Sequence, residues 1–118
     1  MTREKLGAMP FSKVYPLLVN KAVRKGRAQA EVDAAICWLT GYDGPGLRAQ
    51  LARDASYEDF FSEAPRIHPD ADALVTGRVC GVRVEEIEDP FLRRVRQLDK
   101  LVDELAKGRP LDRVLRQA

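Results

Sequence analysis

The chain has 118 residues, of which 45% are hydrophobic and 32% are charged, and its formal net charge is +2. This length suits one domain, and the nearly balanced charges exclude a disordered acidic or basic tail. No segment approaches the ~20 apolar residues that cross a bilayer, and no signal-peptide run follows the charged N-terminus. We therefore expect a cytoplasmic protein without a membrane partner.

The N-terminal quarter is predicted to be an arm followed by a helix. Residues 1–11 lack hydrophobic periodicity, which indicates a flexible arm preceding a single helical domain over residues 12–118. Ser12 is a candidate N-cap for a helix that runs to about Lys25 and ends at Gly26. Its apolar residues are expected to share one buried side, formed by Val14, Leu17, Leu18 and Ala22.

Three further helices are predicted before residue 65. Val32, Ala35, Ile36 and Leu39 recur at the spacing of one helical face, and Gly41 is placed to end that helix. A short helix should bury Leu47 and Leu51. Ser56, followed by Asp59, should cap another short helix that carries Phe60, Phe61 and Ala64 and stops at Pro65.

The segment Leu74–Gly81 is ambiguous. Its β-branched residues suit a strand, but the sequence offers no second convincing strand for it to pair with. A short helix is therefore the favoured interpretation of this segment, and both structures remain open over residues 72–84.

The C-terminal third carries the strongest helix signal. Asp89 and Pro90 form a typical helix start, and the helix should continue to about Lys107 before Gly108. Its apolar positions alternate spacings of four and three, as in a helix packed along a partner: Phe91, Val95, Leu98, Val102 and Leu105. A short last helix begins at Pro110. The predicted fold is all-α, a small orthogonal or mixed multi-helix bundle.

Three stretches of the sequence are distinctive: VYPLLVNKAVRKGRAQAEVDAAICWLTGYD (14–43), DFFSEAP (59–65) and TGRVCGVRVEEIEDPFLRRVRQLDKLVDELAKGRPLDRVLR (76–116). They resemble the bacterial family known as domain of unknown function 2200. The resemblance implies a small, mainly helical domain and brings no known activity, so it transfers no catalytic or ligand-binding residue. Ala28 stands where a Thr cap is expected before the second helix.

Catalytic and metal-binding chemistry finds little support. His68 lies in a Pro-rich loop beside Asp70 and Asp72, but it lacks a second ligand at a fixed spacing. A cluster of acids precedes the long helix and is expected to complement the positive end of that helix: Glu85, Glu86, Glu88 and Asp89. We predict no catalytic residue, no metal ligand and no cofactor.

Two cysteines, Cys37 and Cys80, are expected to be reduced and packed, because neither has a CxxC partner or a matched His. A reactive thiol at either position is the alternative.

The turn between the first two predicted helices is rich in cations. Residues 1–30 carry seven Lys or Arg and one acid, which gives +6. Such a turn can hold phosphate, and nearby aromatic residues can stack on bases. The speculative binding surface consists of Lys21, Arg24, Lys25, Arg27, Trp38, Tyr42 and Arg83.

Three functions remain open. The leading hypothesis is a non-enzymatic interaction or structural module with a protein partner or a second copy, because helix-packing signals are abundant and no catalytic set is assembled. A nucleic-acid-binding domain that uses the basic turn is the alternative. A thiol-based enzyme or redox protein is the third.

Overall fold

The computed structural model describes residues 2–116 and is mostly helical, as the sequence predicts. Within that range the helices are α1 (Arg3–Ala8), α2 (Phe11–Val23), α3 (Gln29–Thr40), α4 (Gly44–Ala52), α5 (Tyr57–Ser62), α6 (Ala71–Leu74), α7 (Pro90–Ala106) and α8 (Leu111–Val114). Between α6 and α7 lie two short antiparallel strands, β1 (Arg78–Val79) and β2 (Val82–Arg83), and a single 3₁₀ turn at Val84–Glu86.

Helix α7 is the central element of the bundle. All five residues of its predicted seam are buried, and α2 and α3 pack along it, with α5, α8 and β1 also in contact. Asp89 caps its N-terminus by accepting a hydrogen bond from the backbone N–H of Phe91 at 2.9 Å. Burying each seam side chain contributes about 1.5–3 kcal/mol before entropy is subtracted. The predictions for this helix are confirmed.

The predicted end of α3 and the predicted start of α5 are also confirmed, but α5 ends at Ser62, so the prediction that Ala64 lies in this helix is wrong. Gly41 follows α3 in the left-handed conformation, with φ at +80°. Ser56 caps α5 by accepting a hydrogen bond from the N–H of Asp59 at 3.1 Å. Ala28 supplies no capping oxygen to α3, but Glu31 makes the reciprocal contact by accepting from the N–H of Ala28 at 3.2 Å.

The N-terminal segment differs from the expected flexible arm, because residues 3–8 form helix α1. Thr2 caps this helix, and Arg3 bonds to Glu58 at 2.5 Å and to Asp89 at 3.0 Å. The Arg3 guanidinium also lies 4.8 Å from the centre of the Phe91 ring. A six-residue helix is not stable alone, so these tertiary contacts order the segment.

Helix α2 begins one residue before the predicted cap. Ser12 is inside the helix and donates a hydrogen bond to Asp54 instead of capping. The backbone N–H of Phe11 donates to the carbonyl of Ala55 at 2.8 Å, which joins the start of α2 to the turn before α5. The prediction that Leu17 is buried is wrong, because this side chain is 66% exposed.

The favoured helix over Leu74–Gly81 is wrong except at its first residue, which ends α6. Residues 78–83 form a hairpin in which Val79 pairs with Val82. Cys80 and Gly81 form its turn, with φ values of +50° and +76°. Two consecutive positive φ values are typical of a type I′ turn, which suits a two-residue hairpin. The pairing strand that the sequence did not reveal is therefore β2, which is separated from β1 by only these two turn residues.

Candidate functional site

The structure uses two of the cations in the predicted basic turn for internal contacts. Lys21 pairs with Asp103 of α7 at 3.2 Å. Arg27 pairs with Glu31 at 2.5 Å and donates to the backbone carbonyls of Leu105, in the last turn of α7, and of Arg109, just beyond that helix. Arg27 therefore fastens the α2–α3 turn to α7 and is not available as a phosphate ligand.

Arg24 and Lys25 remain exposed, and neither forms an ion pair with any residue in the range 2–116. Together with Lys21, Leu17 and Asn20 they line a shallow cleft of about 370 Å³. The cleft brings together three members of the predicted binding surface and adds an exposed leucine to them.

The other members of that surface lie elsewhere. Tyr42 is buried, and its hydroxyl donates to the carbonyl of Phe60 at 2.7 Å, so its ring is not a stacking platform. Burial raises the pKa of Tyr42 to about 12. Arg83 is on β2 and lies 3.6 Å from Glu86. Neither residue lines the basic cleft.

Trp38 and His68 form a second cleft. Their rings stack with centroids 4.1 Å apart, and the Nδ1 atom of His68 accepts a hydrogen bond from the N–H of Asp70 at 3.1 Å. With Arg66 and neighbouring residues they line a volume of about 410 Å³. No group of three His, Cys, Asp or Glu side chains in the described part of the chain is placed to hold a metal ion.

The acids before α7 act in the structure mainly at turns and at the helix end. Glu85 accepts a hydrogen bond from the N–H of Gly77 at 2.9 Å, and Glu86 faces Arg83. Asp89 caps α7 and pairs with Arg3. The hydrogen bond from Arg3 is the main cause that holds the pKa of Asp89 below its usual value.

The two thiols have different environments. Cys37 is half-buried against the hydrophobic core, and burial raises the pKa of its thiol. This agrees with the predicted packed cysteine and disfavours a reactive thiolate there. Cys80 is exposed at the hairpin turn, so the prediction that it is packed is wrong.

A large concave surface in the described chain is a groove bounded by α1, α2 and α7, which we call the α1–α2–α7 groove. Its volume is about 610 Å³. Its apolar lining comes from all three helices and the residues next to them: Leu6, Met9, Val14, Leu17, Leu18, Tyr57, Leu92 and Val95. Val14, Leu18 and Val95 are buried, whereas Leu17 is the most exposed large hydrophobic side chain among the described residues.

The groove also has polar groups. Arg96 and Asp99 of α7 line it and pair at 3.1 Å, and burial raises the pKa of Asp99. Tyr57 lines it too, but its hydroxyl is buried and has no hydrogen-bond partner among the described residues. Burial raises the pKa of Tyr57 well above its usual value, with the charge of Asp99 as a second cause.

Sequence reasoning missed this groove for a geometric reason. The buried stripe of α2 consists of Phe11, Val14, Leu18 and Ala22. Leu17 is one residue, or about 100°, away from Leu18, and its spacing from Val14 also fits the buried side. Only the arrangement of α1 and α7 beside α2 shows that Leu17 is left exposed.

Comparison with known proteins gives a family but no activity. A solved structure titled "Crystal structure of uncharacterized protein SP1917" matches with a TM-score of 0.90 and 46% sequence identity, and the match covers 97% of this chain and 93% of that one. No curated protein matches this chain. No helix within residues 2–116 has the length and apolar character needed to cross a membrane. Residues 5–116 match the family model for uncharacterized proteins conserved in bacteria, domain of unknown function 2200, and the chain belongs to that family.

Proposed function

We propose that this protein is a non-enzymatic interaction module that binds a segment of another protein in the α1–α2–α7 groove. The observation that carries the proposal is the exposed Leu17 at a concave surface lined mostly by apolar side chains. Pockets of ~300–1,000 Å³ with mostly apolar linings are typical binding sites. Grooves of this kind bind helices that insert side chains at i, i+3 or i+4, and i+7.

A second copy of the chain is a less favoured occupant. A two-fold symmetric dimer places the same patch on both partners. Centred on Leu17, such a contact brings Arg24 and Lys25 of one copy towards the same cations of the other if the two α2 helices run parallel, and towards Lys13 if they run antiparallel. Like charges placed together oppose association. We therefore expect a monomer in light scattering.

Nucleic-acid binding by the basic turn also has less support. Lys21 and Arg27 are engaged in internal contacts, so the turn offers fewer cations than the sequence suggests. Phosphate binding gains nothing from an apolar groove. A thiol-based activity at Cys37 is disfavoured by the raised pKa of that thiol. The two free cysteines support a cytoplasmic location.

The test is a selection of helical peptides displayed on phage against the purified protein. Selected peptides are then measured on the variants Leu17→Asp and Val23→Asp. Both side chains are exposed hydrophobics of α2, at 66% and 48%, but only Leu17 lines the groove. Val23→Asp is therefore a matched control for the introduced charge.

We expect Leu17→Asp to weaken the selected peptides at least about tenfold, as at a central interface residue, and Val23→Asp to change affinity less than about twofold. Circular dichroism of both variants should show the wild-type spectrum. A selection that yields no binder, or binders indifferent to Leu17→Asp, would contradict the proposed function.

A further inference from the structure

The exposed face of α2 combines one leucine with two cations. Lys13 is four residues before Leu17, and Arg24 is seven residues after it. Residues with these spacings lie along one face of a helix. Lys13 and Arg24 are about 16 Å apart along the helix axis, at a rise of about 1.5 Å per residue. The groove therefore opens beside a face that has a positive charge towards each end.

These two cations are not neutralised by the fold. Within residues 2–116 neither Lys13 nor Arg24 forms an ion pair, in contrast to Lys21, which contacts Asp103. Lys25, just beyond the helix, is likewise exposed without an acidic partner in that range. Asp99, which lines the groove, pairs with Arg96, and Asp103 pairs with Lys21. The electrostatic character of this face is therefore positive.

The basic and apolar surfaces are continuous. Leu17 lines both the α1–α2–α7 groove and the shallow cleft that contains Lys21, Arg24 and Lys25. An occupant that covers Leu17 consequently meets the apolar lining on one side and the unpaired cations Arg24 and Lys25 on the other.

We infer that the partner segment is an acidic amphipathic helix, a deduction that rests on the proposed function. Its apolar stripe enters the groove against Leu17, and its carboxylates lie near Lys13 at one end and near Arg24 and Lys25 at the other. Such complementarity sets orientation and speeds association more than it adds affinity. The proposal specifies the sign and position of the charges on the partner.

Other occupants fit these observations less well. A lipid surface is reached by protruding apolar side chains, whereas Val14, Leu18 and Val95 are recessed in the groove. Nucleic acid satisfies the cations and leaves the apolar lining uncovered. A second copy brings cations towards cations, as described above.

The experiment compares two synthetic helical peptides of about 18 residues, long enough to form a few helical turns. Both have the same leucine stripe at i, i+3 or i+4, and i+7, flanked in one by Glu and in the other by Lys. Fluorescence anisotropy measures their binding to the full-length protein at low and at physiological salt. The variant Lys13→Glu/Arg24→Glu reverses the charge of the α2 face. The control Arg48→Glu/Arg113→Glu makes the same change in net charge on α4 and α8. Both of its residues are exposed and have no ion pair in the described chain.

We expect the Glu peptide to bind the wild-type protein at least about tenfold more tightly than the Lys peptide at low salt, with the preference decreasing as salt screens the charges. Lys13→Glu/Arg24→Glu should reverse the preference, and Arg48→Glu/Arg113→Glu should leave it unchanged. Leu17→Asp should weaken both peptides.

Equal binding of the two peptides, or a preference for Lys, would overturn the inference but leave the groove as a binding site. Failure of both peptides would also overturn it, while phage-selected peptides that depend on Leu17 would still support the proposed function. Displacement of the Glu peptide by random-sequence DNA or by anionic phospholipid vesicles would assign the α2 face to another class of partner and contradict the inference.

Discussion

At the scale of single residues, buried tyrosines illustrate how local contacts decide the role of a side chain. Tyr42 and Tyr57 are both buried, but only the hydroxyl of Tyr42 has a hydrogen-bond partner in the described chain. A buried hydrogen bond contributes about 1 kcal/mol, whereas an unpaired buried hydroxyl contributes nothing and costs its desolvation. The two residues therefore form a natural comparison.

We predict that Tyr42→Phe lowers the free energy of unfolding by about 1 kcal/mol and that Tyr57→Phe leaves it unchanged or slightly raises it. Urea denaturation of the two variants measures the difference. A loss in Tyr57→Phe as large as that in Tyr42→Phe would show that the Tyr57 hydroxyl has a partner.

The cysteines give a second prediction at this scale. Cys80 is exposed and Cys37 is half-buried with a raised pKa. In the native protein a colorimetric thiol reagent should modify Cys80 rapidly and Cys37 slowly, because the thiolate is the reacting species. Cys80→Ser should abolish the fast phase. A fast phase that persists in Cys80→Ser would contradict the packing described for Cys37.

At the scale of elements, hydrophobic spacing predicts the helices that bury a complete stripe. Helix α7 was predictable because its seam, its Asp-Pro start and Gly108 all indicate the same boundaries. The hairpin at residues 78–83 was not, because two-residue strands have no periodicity and Cys80 is an unusual residue for a left-handed position. Helix α1 was missed because its order comes from long-range contacts of Arg3.

The end of α3 provides a test of element packing. Gly41 and Gly26 have nearly the same φ, +80° and +83°, but a Cβ on Gly41 would lie 2.7 Å from backbone atoms of Arg66, while nothing lies within 4 Å of one on Gly26. Gly26→Ala should cost about 1–2 kcal/mol for the left-handed conformation. Gly41→Ala should cost about 1–3 kcal/mol more, because backbone must move.

Chemical denaturation of both variants measures this difference. If Gly41→Ala and Gly26→Ala lowered the free energy of unfolding equally, the loop at Arg66 would not pack against the end of α3 as closely as the structure shows.

At the scale of the whole molecule, carboxylates make stability depend on pH. Burial alone would raise the pKa of Asp72, but hydrogen bonds from Gln97 and Arg94 outweigh it and lower that pKa. An acid with a lowered folded pKa stabilises the protein above its unfolded pKa of about 4, and this contribution is lost as the pH falls through the folded pKa. The contribution of Asp99 to stability changes with pH in the opposite direction, because burial raises the pKa of this residue.

We predict that the wild-type protein loses stability between about pH 5 and pH 3. Asp72→Asn should flatten this loss. Asp99→Asn should steepen it, because protonation of Asp99 favours the folded state as the pH falls. Urea denaturation across this pH range measures how the free energy of unfolding of each variant depends on pH. The same pH dependence in both variants would contradict the opposite pKa shifts of Asp72 and Asp99.

The binding surface also belongs to the whole molecule, since α1, α2 and α7 form it together. The sequence indicated the cations Arg24 and Lys25 but not the groove, because exposure of Leu17 depends on how the three helices are arranged. Trp38 and Tyr42 were placed in the predicted surface by proximity along the chain, and packing separates both from the basic cleft.

The most direct test of the groove is two-dimensional ¹⁵N NMR of the labelled protein titrated with the Glu-flanked peptide. We predict that the perturbed amides belong to α1, to α2 and to the half of α7 that contains Leu92 and Val95. Perturbations confined to the cleft of Trp38 and His68, or no perturbation at saturating peptide, would contradict the account.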